Sequence, residues 1–93
     1  MCTSWPEVAS DDPSVEVARL LAVSLREAIG SGSLRAMSRQ TGVDHTTIGA
    51  ILNGAVWPDL QTIARLEAGL GVPLWPAGVA AGMPFVKAHK APK

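Results

Sequence analysis

The tightest constraint on this chain lies between Ser33 and Gly54, where two short helical patterns meet at a single glycine. Met37 and Ser38 stand one turn before Gly42, and Val43, Ile48 and Ile51 follow it at offsets that turn apolar residues toward a common core. The residues that begin the second pattern, Asp44 to Thr47, are polar. Two helices joined by so tight a turn must cross at a steep angle and lean on further helices to bury their apolar faces.

The flanking sequence supplies those helices. Asp12-Pro13 reads as a start signal, an acceptor at the N-cap followed by a residue whose missing N–H costs nothing. Val17, Leu21, Leu25, Ala28 and Ile29 then recur at helical spacing up to Gly30. Ser33 caps a second helix that stops at Gly42, where a left-handed residue is easily placed. Asp44 caps a third helix, closed by Asn53-Gly54. Asp59 caps a fourth, with Leu60, Ile63, Ala64, Leu66 and Leu70 expected inward and Gly71 at its end. The expected helices are 13–29, 34–41, 45–53 and 60–70. A further turn is expected around Leu74 to Val79, and Trp57 and Trp75 are expected to close the core. The fold class is all-α: a compact four- to five-helix bundle. Residues 1–11 form a loose N-terminal segment in which Trp5 covers an apolar patch. Residues 12–76 form the domain, and residues 77–93 an apolar and then basic tail.

Composition narrows the function. Ninety-three residues make one domain. No apolar run approaches the roughly 20 residues of a membrane span. The N-terminus lacks the basic-then-apolar order of a secretory signal. Cys2 is the only cysteine, so neither an internal disulfide nor a cysteine zinc site is available. Eight basic residues balance eight acidic ones. Between Asp12 and Trp75, Arg19, Arg26, Arg35, Arg39 and Arg65 face six carboxylates, and Lys87, His89, Lys90 and Lys93 lie in the tail. Any affinity for an anionic partner must come from local placement of charge. Two histidines and scattered carboxylates show no metal-ligand spacing, and there is no phosphate loop or nucleophile motif. No catalytic residue, metal site or cofactor is expected.

Residues 14–76 resemble the Cro/lambda-repressor type of helix-turn-helix domain, the XRE family. The resemblance is carried by Met37-Ser38, Thr41-Gly42-Val43, Thr47-Ile48, Asn53-Gly54, Pro58-Asp59-Leu60, Ile63-Ala64 and Leu70-Gly71-Val72-Pro73. It implies that the third helix enters the major groove of double-stranded DNA, with His45, Thr46, Gly49 and Ala50 at base edges. It places Ser33, Arg35, Arg39, Thr47, Asn53 and Trp57 at phosphates. It further implies a homodimer and a cytoplasmic regulator, bacterial or phage-encoded and held on the nucleoid when bound. A plain solvated helix would leave Gly49 unexplained, because glycine inside a helix costs about 1 kcal/mol against alanine. The chain departs from the family at two places. Leu34 stands where many members have glutamine, and Ala55-Val56-Trp57 carries none of the usual basic residues.

Two functions fit this sequence. The first is a sequence-specific transcriptional regulator, a repressor by family habit. The second keeps the fold as a protein-interaction module, an antitoxin or adaptor whose apolar tail grips a protein partner. The helix-turn-helix core favours the first and the balanced charge the second; DNA binding is the expected reading.

Overall fold

A computed structural model describes residue 9 and residues 11–83. It contains α1 (Pro13–Ile29), α2 (Leu34–Thr41), α3 (His45–Leu52) and α4 (Leu60–Leu70), followed by one 3-10 turn at Ala80–Gly82, with no strand among the described residues. The all-α expectation holds. Trp5 and the tail residues Lys87, His89, Lys90 and Lys93 lie outside the described residues.

Each α-helix begins at a side chain that takes up its unpaired N–H groups. The Asp12 carboxylate accepts from Ser14 N–H at 2.9 Å and Val15 N–H at 3.3 Å, with Pro13 next in line. Ser33 Oγ accepts from Ala36 N–H at 3.1 Å, Asp44 Oδ2 from Thr46 N–H at 3.0 Å, and Asp59 Oδ1 from Thr62 N–H at 2.8 Å. A cap of this kind contributes about 1 kcal/mol. The bonds from Thr62, its side chain first, hold the Asp59 carboxyl below the usual aspartate range.

The core joins Leu21 and Leu25 of α1, Ile48 and Ile51 of α3, and Ile63 and Leu66 of α4, with Val43 and Leu74 from the connections. Helix α2 stands at its edge. Thr41 is its one buried residue, while Leu34 and Met37 pack half-buried against the cluster.

Several residues expected inside are not. Leu60 is 78 % exposed and Ala64 is exposed as well. Leu60 is the first residue of α4, and a helical side chain leans back toward the N-terminus, so it points past the end of the core. Ala64 follows Ile63 by about 100° around the axis and so leaves the inward stripe. Trp57 and Trp75 are 54 % and 48 % exposed, so they do not close the core. They flank an apolar groove of about 360 Å³ along Ser14, Val17 and Ala18 of α1. Nor is there a helical turn from Leu74. Trp75 precedes Pro76, which disfavours a helical backbone there, and the first helical turn comes later, at Ala80–Gly82 against α1.

Leu74 takes the place expected of the tryptophans, being only 2 % exposed. Glu67 of α4 puts it there. Its Oε2 accepts from both Leu74 N–H at 2.7 Å and Trp75 N–H at 3.0 Å. These two bonds, the one from Leu74 foremost, hold the Glu67 carboxyl below the usual glutamate range.

Helices α2 and α4 meet backbone to backbone. A Cβ on Gly69 would stand 2.7 Å from Thr41 Cα and 2.8 Å from the Gln40 carbonyl oxygen, both main-chain atoms that cannot swing aside. Gln40 Nε2 also donates to the Gly69 carbonyl at 2.9 Å.

Two expectations follow for stability. Gly69→Ala should destabilise the fold by about 1–3 kcal/mol in urea titrations, despite the better helix propensity of alanine, because the helices must separate. Glu67 contributes stability above the usual glutamate range and loses it as the pH falls through its lowered folded-state pKa. Between about pH 5 and pH 3 the wild type should therefore lose melting temperature more steeply than Glu67→Gln. Parallel curves would mean that the carboxylate does not hold the chain after α4.

Candidate nucleic-acid interface

The helix-turn-helix is built from α2, the Gly42 turn and α3. Gly42 has φ 77°, a left-handed conformation, and its N–H donates to the Ser38 carbonyl at 2.8 Å. Thr41 ties the turn to the helix before it. Its Oγ1 donates to the Met37 carbonyl at 2.8 Å and accepts from Val43 N–H at 3.1 Å, which carries the chain directly into buried Val43.

Helix α3 then divides into two faces. Ile48 and Ile51 are buried, at 0 % and 2 % exposure. His45, Thr46, Gly49 and Ala50, spaced i, i+1, i+4 and i+5, form a second stripe around the helix. Thr46 is exposed and the other three are half-buried. Asp44 caps this helix with Oδ2, while Oδ1 lies 3.9 Å from His45 Nδ1. The carboxylate thus stands beside one of the two ring nitrogens, Nδ1.

Of the residues placed at phosphates by the sequence, Ser33, Arg35, Arg39 and Asn53 are exposed, Trp57 is half-exposed and Thr47 is half-buried. Ser33 Oγ accepts the capping bond yet keeps its own hydrogen to donate. Arg35 and Arg39, four apart, share one side of α2, and neither makes an ion pair among the described residues. Arg19 differs. It meets Glu16 through Nε at 2.9 Å and Nη2 at 2.7 Å, with both side chains mostly buried, so its charge is spent inside the fold.

Leu34 does something the sequence did not disclose. It packs against the core edge, and its Cδ1 lies 3.5 Å from where a Gly49 Cβ would stand, so it seats α2 on α3. Sequence reasoning also passed over Gln40 and Gly69, which with Thr41 set the position of α2, and Glu67, which holds Leu74 in the core. Only Gly69, a glycine inside a helical pattern, carried a signal of close approach.

A family model described as Helix-turn-helix matches residues 25–74, more than half of the chain, and the chain belongs to that family, of the XRE type. The match runs from Leu25 on α1 to Leu74, so it takes in the turn, α3, α4 and the segment held by Glu67. No curated protein and no solved structure matches the chain. The family is one of DNA-binding regulatory domains, and this chain carries its helix-turn-helix. No described helix is long and apolar enough to cross a membrane, and no three histidine, cysteine or acidic side chains among the described residues come together as a metal site.

The turn can be tested through Gly42. A Cβ there would meet nothing within 4 Å, so any penalty is conformational rather than steric against a neighbour. Gly42→Ala should cost about 1–2 kcal/mol. Asparagine should be tolerated better and valine worse. Chemical denaturation of the three variants checks the order, and a valine variant as stable as the wild type would place the turn elsewhere.

Proposed function

We propose that this protein is a sequence-specific DNA-binding transcriptional regulator, a cytoplasmic repressor that reads the major groove with α3 as a homodimer. One observation carries the reading. The Gly42 turn and buried Ile48 and Ile51 hold out the stripe of His45, Thr46, Gly49 and Ala50, while Arg35 and Arg39 stand exposed on α2. His45 and Thr46 supply base-edge hydrogen bonds, and Ser33, Thr47, Asn53, Trp57 and the two arginines supply phosphate contacts. The dimer belongs to the proposal because one module of this size makes too few contacts for useful specificity.

A second reading, an interaction module such as an antitoxin or adaptor, is favoured by the half-exposed Trp57 and Trp75 beside their groove. Exposed aromatic surface of that kind marks a site of protein contact.

Fluorescence polarisation separates the two readings, with duplexes selected from a random library set against unselected ones. His45→Ala and Thr46→Ala should each reduce discrimination by about 1–3 kcal/mol. Arg35→Ala and Arg39→Ala should weaken binding to all duplexes and lower the salt slope by about one per lost phosphate contact. The whole slope should be shallow, about two to four per monomer and twice that for a dimer. If none of the four substitutions alters DNA binding, the interaction module is the better account.

A further inference from the structure

A recess opens between the first turns of α1, the α3–α4 connection and the segment after α4. Its floor is Leu21 and Ile63, which are 1 % and 6 % exposed. Trp57 and Trp75 flank it. The fold sets these walls in advance. Trp75 is placed by its main chain, since its backbone N–H donates to Glu67 Oε2 at 3.0 Å beside the buried Leu74. Pro13 and Pro58 stiffen the backbone where they line the recess, and the Ala80–Gly82 turn packs on α1. A site whose walls are already ordered gives up little freedom when something enters it.

Charge and size then define the guest. None of the ten described residues around the recess is charged, and their polar side-chain groups are the Ser14 hydroxyl and the two indole N–H groups. An ionised guest would lose water without gaining a counter-ion, so the guest is uncharged. The volume is about 360 Å³. An apolar cavity of about 150 Å³ takes one benzene ring, so this one suits two fused rings. A protein partner takes about 20–30 residues a side, well beyond what surrounds the recess. Two indoles reward a flat aromatic guest with face and edge contacts that a saturated one does not make. We propose that this recess is a binding site for a small, uncharged, bicyclic aromatic molecule. The site stands apart from the DNA-binding reading, which uses none of its residues except Trp57.

Calorimetric titration of the full chain with 2-naphthol at neutral pH tests the site. One molecule should bind per chain, with a Kd below about 1 mM. The same rings bearing a carboxylate, as 2-naphthoate, should bind at least about tenfold more weakly. The saturated decahydro-2-naphthol should also bind more weakly. Trp75→Ala removes one indole but keeps the main-chain bond to Glu67. It should melt as the wild type does and bind 2-naphthol about tenfold more weakly. Ala18→Trp fills the recess from α1 and should abolish binding. No heat of binding by the wild type, equal binding of all three compounds, or two variants that bind like the wild type overturns the site. Binding seen only in Trp5→Ala overturns it too, because the chain's own Trp5 is then the occupant. So does sedimentation in which Trp75→Ala turns a dimer into a monomer, because the occupant is then a second copy.

Discussion

The approach of α4 to α2 at Gly69 is the constraint from which the rest of the motif hangs. Helix α2 has a single buried residue, Thr41, too little apolar surface to fix its own position. Its place is set where the Gly69 backbone meets Thr41 and Gln40 and where the Gln40 amide is bound. Thr41 then passes that placement on. The same side chain that touches α4 bonds back to Met37 and forward to Val43, so the turn and the start of α3 inherit their position from α4. Leu34 closes the loop from the other end of α2, resting on α3 at Gly49. Two glycines on different helices thus do opposite things: one lets protein approach protein, and the other leaves room.

A second dependence runs through Glu67. One carboxylate oxygen holds two consecutive amides and thereby drives Leu74 into the core. Because the next residue is held by the same oxygen, Trp75 is left facing outward beside Trp57. The exposed aromatic edge is therefore a by-product of how the core is closed.

How much of this the sequence disclosed depends on the range of the interaction. The helices were legible almost to the residue because Asp12, Ser33, Asp44 and Asp59 act on amides two or three positions away. The buried side of α3, Ile48 and Ile51, was legible from their spacing, while the outward stripe was named through the family resemblance. The fates of Trp57 and Trp75 were not legible. They turned on Leu74, held by Glu67 of α4, filling the space first, and hydrophobicity alone ranked tryptophan above it. Leu60 and Ala64 were misplaced for a local reason, the lean and angular position of their side chains on α4. At the site, residue types named candidates. The seating of Leu34 against Gly49 needed the third dimension, because fifteen residues and a turn separate the two.

The Glu16–Arg19 pair has a bearing on time as well as on structure. An arginine clamped by two bonds to a carboxylate adds nothing to the long-range field, and the chain as a whole carries no net charge. Strongly basic helix-turn-helix proteins are drawn to any stretch of duplex and spend most of their lives there, sliding. On the DNA-binding reading proposed above, a chain with no net charge would hold random sequence weakly and stay largely free in solution. It would find its site by repeated three-dimensional collision, let go of wrong sequence quickly, and lose few copies to the rest of the genome. Fewer molecules per cell are then tied up in competition, and occupancy of the right site follows protein concentration closely.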